Sequence, residues 1–113
     1  MKKSDWMLLQ KILGEISCLE EIVSDSSLEK FLADWKEQKA ATMTLINIGE
    51  KANKLSTDIK SASRDIPYQK IISMRNLAAH EYDVLRFGQV WELLTVEIPV
   101  LKNKIERLLG EKD

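Results

Sequence analysis

The stretch RFGQVWELLTVEIPVLKNKIERLL, residues 86–109, decides the fold class. Its large apolar side chains recur at alternating steps of four and three residues, which is the spacing of a helix face that packs against other helices. These side chains are Leu94, Ile98, Leu101, Ile105 and Leu108. Pro99 lies inside this helix and predicts a local kink, because proline lacks a backbone N–H and crowds the preceding turn. Gly110 is the predicted stop of the helix.

The first third of the chain shows the same helical spacing. Over residues 4–23, one face carries Leu9, Ile12, Ile16, Leu19 and Val23. Ser4 or Asp5 is the predicted N-cap, because short polar side chains accept hydrogen bonds from free backbone N–H groups. Ser26 and Glu29 have the spacing of a capping box, which predicts that a second helix begins there. The apolar residues of that helix are Leu28, Phe31, Leu32 and Trp35.

Two further helices are predicted in the middle of the chain. One covers about residues 36–55, and whether it continues the second helix or bends near Trp35 is open. Its candidate inward residues are Ala40, Met43, Ile46 and Ala52. Residues 56–65 are polar without an apolar period and are interpreted as a connection, after which Pro67 suits the first turn of a helix. The inward residues of that helix are Ile71, Met74, Leu77 and Ala78.

Together these segments predict an all-α protein, an antiparallel bundle of four to five helices in one domain, residues 1–113. Four glycines and two prolines are too few for the many turns of an all-β fold. Hydrophobic residues make up 44% of the chain and charged residues 31%, which is typical of a globular protein. A chain of this length can bury a core without metals or disulfides.

Charge and cysteine content limit the possible functions. A net charge of -1 gives no overall attraction to nucleic acid, so RNA binding requires a local basic patch. The one cysteine, Cys18, cannot form an internal disulfide and is predicted to be a small buried hydrophobe. The first residues lack the apolar core of a signal peptide, and no apolar run approaches the roughly 20 residues that span a bilayer. We therefore expect a cytoplasmic, soluble protein that does not associate with a membrane.

The one histidine, His80, is the first candidate for chemistry. Imidazole changes charge near neutral pH, so His80 can give or take a proton. Asn76 lies one helical turn earlier on the same face, whereas Arg75 projects about 140° around the axis and reaches back only through its long side chain. One proton carrier, one permanent cation and one amide suit cleavage of a phosphodiester without a metal. Judged by spacing alone, a surface or capping role of His80 is favoured over a catalytic one.

Other candidate residues carry weaker signals. Glu50 lies beside Gly49 inside a predicted helix, and it is either a helix-contact residue paired with a cation such as Arg75 or simply exposed. With one histidine, one distant cysteine and no Gly-rich phosphate loop, the sequence predicts no metal site and no cofactor. The tryptophans are interpreted as core or interface anchors rather than base-stacking platforms: Trp6, Trp35 and Trp91. Three basic residues are expected on the solvated side of the last helix, with docking of an anionic partner as the alternative: Lys102, Lys104 and Arg107.

Four blocks within residues 45–109 resemble the HEPN superfamily, and within it the HepT-like proteins that are encoded beside minimal nucleotidyltransferases. The blocks are Ile48-Gly49-Glu50-Lys51-Ala52 with Leu55, Ile66-Pro67-Tyr68 with Ile71, Arg75-Asn76 followed by His80 and Tyr82, and Val90-Trp91 with Ile98-Pro99 and Leu101. The third block is similar to the family motif Arg-Asn-x-x-x-His-x-Tyr. Because all four stand in the family's order, the resemblance is more specific than an arginine and a histidine alone. The N-terminal third matches only in length and helical character.

The resemblance implies a HEPN-like homodimer in which two copies of the motif face one cleft. It implies a metal-independent endoribonuclease in which His80 is the general acid or base, Arg75 holds the scissile phosphate and Asn76 orients one of these groups. It also implies a toxin whose antitoxin is a minimal, MntA-like nucleotidyltransferase that attaches AMP to Tyr82. A bulky anion two residues from His80 would compete with the RNA phosphate for Arg75.

Two other interpretations keep the same fold. In the first, the chain is a non-catalytic module that presents substrate to the nucleotidyltransferase or accepts its nucleotide. In the second, the motif is a hydrogen-bonded structural corner. The intact Arg75, His80 and Tyr82 favour the ribonuclease over the module.

Overall fold

All regular secondary structure within residues 1–110 is helical, and these are the residues that the computed structural model describes. The helices are α1 (Lys3–Ser24), α2 (Leu28–Ala33), α3 (Trp35–Lys54), α4 (Thr57–Ala62), α5 (Tyr68–His80), α6 (Phe87–Glu92) and α7 (Ile98–Gly110). A 3-10 turn, Tyr82–Val84, follows α5, and a π-helical turn, Leu93–Glu97, joins α6 to α7 in one continuous rod. Four long helical segments with two short helices between them confirm the predicted all-α bundle.

The core of the bundle is built around α3, which packs against both α1 and α5, while α1 also packs against α7. The predicted apolar face of α1 is confirmed: Leu9, Ile12, Ile16 and Leu19 are buried, and Val23 is half-buried. The predicted seam of the last helix is confirmed too: Leu94, Ile98, Leu101 and Ile105 are buried, and Leu108 is half-buried. Large apolar side chains at helical spacing therefore decide how these two rods face the core.

The buried face of α3 differs from the predicted one. Ala40 and Met43 are exposed and Ile46 is only half-buried, so of the predicted inward residues only Ala52 is confirmed. The buried apolar residues begin one position later and are Ala41, Leu45, Ile48 and Ala52. The largest of these, Leu45 and Ile48, determine which face turns inward, because they remove the most apolar surface from water.

Asp5 links α1 to α4 instead of capping its own helix. Lys2 is the N-cap of α1 and forms no side-chain hydrogen bond, so the predicted cap at Ser4 or Asp5 is wrong. The Asp5 carboxylate is 2% exposed and accepts hydrogen bonds from the Ser56 N–H at 2.9 Å and the Ser56 hydroxyl at 2.6 Å. A buried carboxylate requires such donors, so this contact fixes the start of α4 against α1.

Side-chain caps separate α1, α2 and α3. The predicted capping box at Ser26 and Glu29 is wrong, because Ser27 is the N-cap of α2 and accepts from the Lys30 N–H, while Ser26 donates instead to Glu37 of α3. Asp34 ends α2 and caps α3 by accepting from two backbone N–H groups of its first turn. The second and third helices are therefore separate, with the bend at Asp34, next to Trp35, which decides between the continuous and the bent helix that the sequence left open.

The short helix α4 occupies the segment that was interpreted as a connection. Ser56 is its N-cap and accepts from the Ile59 N–H at 3.2 Å. Ile59 is buried and anchors α4 to the core. A helix of six residues with one buried apolar residue shows no period, which is why the sequence pattern does not reveal it. Pro67, expected in the first turn of α5, is its N-cap, one position earlier.

A π-helical turn, Leu93–Glu97, lies just before Pro99, and the kink of the helix axis at Pro99 stays a prediction. A π-helical turn widens the hydrogen-bond spacing and accommodates a residue that has no N–H to donate. The Thr95 hydroxyl donates to the Trp91 carbonyl at 2.9 Å inside this turn. Gly110 is the last described residue of α7, so its predicted role as a helix stop depends on residues outside the described range.

One side chain is more exposed than predicted, and Trp35 can fill only one of the two roles predicted for the tryptophans, that of an interface anchor. Cys18, expected to be buried, is exposed. Trp35 is 62% exposed and is not a core residue, whereas Trp6 and Trp91 are half-buried. Phe31 anchors α2 to α6 through Trp91, with ring centroids 5.3 Å apart, while Leu28 and Leu32 are exposed.

Within the described part of the chain, no helix combines the length and apolarity needed to cross a membrane.

Candidate functional site

The predicted motif lies at the C-terminal end of α5 and in the turn that follows it. α5 ends at His80, where the N–H of Glu81 donates to the Leu77 carbonyl at 2.9 Å. The 3-10 turn then begins at Tyr82. This local structure places His80 at the rim of the bundle rather than in its core.

Asn76 and His80 share one open surface depression, the His80 depression, which is also lined by Ser73, Leu77 and Glu81. Both side chains are exposed, as expected for residues one helical turn apart on an outward face. Among the described residues, no hydrogen bond or ion pair holds the Asn76 amide or the His80 imidazole. The imidazole is therefore available to give or take a proton. The structural-corner interpretation requires a hydrogen bond at His80, and the described residues form none there.

Arg75 faces α3 instead of the His80 depression. Its Nη1 lies 3.4 Å from Oε1 of Glu50, and the Arg75 side chain is 17% exposed whereas that of Glu50 is 46% exposed. Glu50 is thus a helix-contact residue paired with Arg75, one of the two alternatives that the sequence left open. An ion pair with an exposed carboxylate contributes little stability, so another anion can compete with Glu50 for the guanidinium.

Gly49 explains how Arg75 comes so close to α3. A Cβ atom built on Gly49 would lie 2.2 Å from the Arg75 Cβ, 2.7 Å from its Cγ and 3.3 Å from the Ile71 carbonyl oxygen. Any larger residue at position 49 would push α3 and α5 apart. The Nε of Arg75 is buried and has no hydrogen-bond partner among the described residues, so the protein satisfies the guanidinium only in part.

A single chain does not bring all the predicted site residues together. Arg75 does not line the His80 depression. Tyr82 is half-buried, packs edge-on against Phe87 at 5.8 Å between ring centroids, and lines a different depression between α3 and the end of α5. This Tyr82 depression is also lined by Lys39, Thr42, Met43, Ile46 and Ala78. Within residues 1–110, no group of three or more His, Cys, Asp or Glu side chains is placed to hold a metal ion.

Two groups at contacts between helices have shifted pKa values. Hydrogen bonds from Lys30 and then from Ser26 lower the pKa of the Glu37 carboxyl at the junction of α2 and α3. Burial raises the pKa of the Tyr68 hydroxyl, which shares a 2.8 Å hydrogen bond with the buried Ser63 hydroxyl. Both shifts therefore belong to contacts that hold helices in place.

The basic residues of α7 are less solvated than predicted. Lys102 pairs with Glu20 of α1 at 2.9 Å, and the hydrogen bond from this pair raises the pKa of the Lys102 ammonium. Lys104 donates to the Asp65 carbonyl at 2.6 Å. Both are half-buried and hold neighbouring segments together, whereas Arg107 is exposed as predicted.

The sequence assigns no role to two residues of this region, Gly49 and Lys39. Gly49 carries a usable signal, because a glycine inside a helix costs about 1 kcal/mol relative to alanine and so indicates a close contact. Lys39 carries no such signal. Its position beside Tyr82 arises from the packing of α3 against α5, which the sequence pattern does not specify.

The chain matches one known family over most of its length. The model of the family described as "Ribonuclease HepT-like" matches residues 12–108. This range covers α5, the motif and the whole of α3.

Similar proteins are named as ribonucleases. A protein of Thermococcus cleftensis named "Probable ribonuclease HepT" is 32% identical over 108 residues, which cover 96% of this chain and 98% of that protein. A "Putative RNase" of Caldanaerobacter subterraneus subsp. tengcongensis is 31% identical over 104 residues, covering 92% of this chain and 93% of that protein. A "Putative RNase" of Methanocaldococcus jannaschii is 28% identical over 103 residues, covering 91% of this chain and 89% of that protein. No solved structure matches the chain at a significant level.

Proposed function

The chain belongs to the HepT-like ribonuclease family, and we propose that it is a metal-independent endoribonuclease that acts as a toxin. The observation that carries the proposal is the family match over residues 12–108, a range that contains Arg75 and His80. The exposed and unengaged imidazole of His80 supports it, because proton transfer requires such a group within reach of the substrate.

His80 supplies the proton chemistry of the proposed reaction. Its imidazole takes the proton of a ribose 2′-hydroxyl, and the 2′-oxygen attacks the adjacent phosphorus. The bond from phosphorus to the 5′-oxygen breaks, and the leaving oxygen receives a proton from a His80 imidazolium. The products are a 2′,3′-cyclic phosphate and a 5′-hydroxyl. Asn76 lies in the same depression and orients the imidazole or the phosphate.

Arg75 binds the scissile phosphate in this proposal. Its guanidinium is permanently charged and its fork matches two phosphate oxygens, so it stabilises the negative charge that develops during attack. Glu50 is a supporting residue, because it holds Nη1 at 3.4 Å before the substrate arrives. The phosphate then replaces or shares this contact.

A second copy of the chain completes the proposed site. Within one chain, Arg75 does not line the His80 depression, and one histidine has to serve two proton transfers. A two-fold dimer with both motifs facing one cleft supplies two histidines and two arginines. It also concentrates positive charge that the net charge of -1 per chain conceals. Light scattering at micromolar concentration should give a dimer, and an active monomer would contradict the shared cleft.

The proposed antitoxin is a minimal nucleotidyltransferase encoded beside this chain and acting with it in the cytoplasm. It transfers AMP from ATP to the Tyr82 hydroxyl, with pyrophosphate as the leaving group. The attached phosphate lies two residues from His80 and competes with RNA for the arginine. Intact-mass measurement after incubation with the partner and ATP should show one added AMP that Tyr82→Phe prevents. No added mass on the wild-type chain would remove this regulatory role.

Incubation of the purified chain with RNA in the presence of EDTA tests the proposed activity. The wild-type chain should cut the RNA, and His80→Ala should leave it intact while retaining the helical circular dichroism of the wild type. Expression of the wild type without its partner should arrest growth, and His80→Ala should relieve the arrest.

A second candidate function is a non-catalytic module that presents substrate or accepts nucleotide for the nucleotidyltransferase. The Arg75–Glu50 pair favours it, because an arginine engaged by a carboxylate is not free for phosphate in the single chain. A wild-type chain that neither arrests growth nor cuts RNA, yet binds the nucleotidyltransferase, would favour the module over the ribonuclease.

A further inference from the structure

The first turn of α3 carries an exposed aromatic ring with two ammonium groups beside it. Trp35 is 62% exposed, the highest exposure among the large hydrophobic side chains of the described residues. The Nζ atoms of Lys36 and Lys39 each lie 5.8 Å from the centroid of its ring. A large ring this exposed contributes little to the core, so its packing does not explain its position.

The carboxylates near this ring are already engaged. Asp34 accepts from two backbone N–H groups of α3, and Glu37 is paired with Lys30 at 2.7 Å. Neither Lys36 nor Lys39 belongs to an ion pair among the described residues. The start of α3 is therefore a local basic patch, which a chain with a net charge of -1 requires for binding RNA.

The patch continues toward the motif. Lys39 lies beside Trp35 and also lines the Tyr82 depression, together with Met43. Met43 is 58% exposed, so it extends an accessible surface along the outer face of α3. The surface thus leads from an aromatic platform, past a cation, to a tyrosine two residues after His80.

We propose that this α3 strip, made of Trp35, Lys36, Lys39, Met43 and Tyr82, binds single-stranded RNA on its way to the cleavage site. A base stacks on the exposed face of Trp35, while the two ammonium groups neutralise neighbouring phosphates. Stacking on an aromatic ring requires an unpaired base, so the strip selects single-stranded over double-stranded RNA. The inference rests on the proposed function for the identity of the substrate, but it concerns binding and not the chemical step.

The binding test uses the full-length chain with His80→Ala, so that RNA is bound without being cut. Fluorescence anisotropy of a short labelled single-stranded RNA should give an affinity that Trp35→Ala lowers by roughly tenfold or more and that Trp35→Phe largely retains. Lys36→Gln with Lys39→Gln should reduce the slope of log affinity against log salt by about 1.4, since each single-strand phosphate contact contributes about 0.7. Trp35→Ala should leave that slope unchanged. The exposed Lys54, at the far end of α3, supplies the matched control Lys54→Gln, which should change neither quantity.

Each outcome of this test decides for or against the strip. Equal RNA affinity of Trp35→Ala and its parent overturns the proposal, even if the wild type cleaves RNA. Conversion of Trp35→Ala to a monomer by light scattering, with or without loss of RNA binding, assigns the surface to a second copy of the chain and also overturns it. If the expected Trp35 and lysine effects occur while the wild type cuts no RNA, the strip stands and the proposed catalytic function fails.

Discussion

The substitution Gly49→Ala tests how closely α3 and α5 approach at the motif. The added Cβ would lie 2.2 Å from the Arg75 Cβ, whereas non-bonded carbon atoms prefer about 3.5–4.0 Å. Both atoms are fixed to helix backbones, so no side-chain rotation relieves the contact. The helices must therefore separate by about 1.5 Å at this point.

The expected cost follows from two opposing effects. Overpacking of this kind costs about 1–3 kcal/mol and occasionally more, and the fixed backbones place Gly49→Ala at the upper end. Replacing a helix-interior glycine by alanine returns about 1 kcal/mol. The net destabilisation is about 2 kcal/mol, which lowers the Tm of a domain of this size by roughly 8 °C.

Gly14→Ala is the matched control, since Gly14 lies inside α1 and an added Cβ there would meet no atom within 4 Å apart from its chain neighbours and the backbone of its own helix. This substitution keeps the propensity gain without the clash, so it should raise the Tm by about 4 °C. Circular-dichroism melts of both variants and the wild type measure the contrast. A Gly49→Ala variant as stable as Gly14→Ala would refute the account of the α3–α5 contact and of the position of Arg75.

Three further predictions concern single side chains. Ser56→Ala removes a hydroxyl donor from the buried Asp5 and the N-cap of α4, so urea unfolding should show a loss of about 2 kcal/mol, and an unchanged midpoint would contradict it. Lys30 lowers the pKa of the Glu37 carboxyl in the folded chain. The ionised Glu37 therefore stabilises the fold fully at pH values above the ordinary carboxyl pKa, and this stabilisation is lost as the pH falls through the lowered pKa. The Tm of Glu37→Gln should therefore fall less steeply than that of the wild type as the pH is lowered. An equally steep fall in both proteins would count against a stabilising Lys30–Glu37 pair. Cys18 should react with a thiol reagent in the native protein as fast as in urea, and a reaction that waits for unfolding would show that it is buried.

The sequence pattern predicts the helices well where large side chains set the period. In α1 and α7 every inward position except Asp5 is a leucine, isoleucine or valine, so one face dominates and the structure has that face buried. In α3 the inward set includes alanine and threonine, which resemble the outward set in size and polarity. The apolar pattern therefore predicts Ala40 and Met43 as inward residues, one position before the residues that are buried.

Contacts between distant segments are what the pattern omits. The Asp5–Ser56 hydrogen bonds join residues 51 positions apart, and local reasoning assigned Asp5 to a cap of its own helix. The candidate site shows the same division. Spacing on α5 predicted that Asn76 and His80 share a face, whereas the turn of Arg75 toward Glu50 depends on how α3 packs against α5. The sequence therefore cannot decide whether Glu50 pairs with Arg75 or is simply exposed.

RNA cleavage in EDTA by Arg75→Ala and His80→Ala chains, each alone and after refolding together, tests the shared site directly. If Arg75 of one copy and His80 of the other build each site, each variant alone is inactive. Random pairing makes about half of the dimers mixed, and each mixed dimer holds one intact site of its two. The mixture should then regain about a quarter of the wild-type rate. A wild type that cuts no RNA, or a His80→Ala chain that cuts it at the wild-type rate, would contradict the proposed chemistry. An inactive mixture beside an active wild type would contradict a site built from one Arg75 and one His80 of different copies.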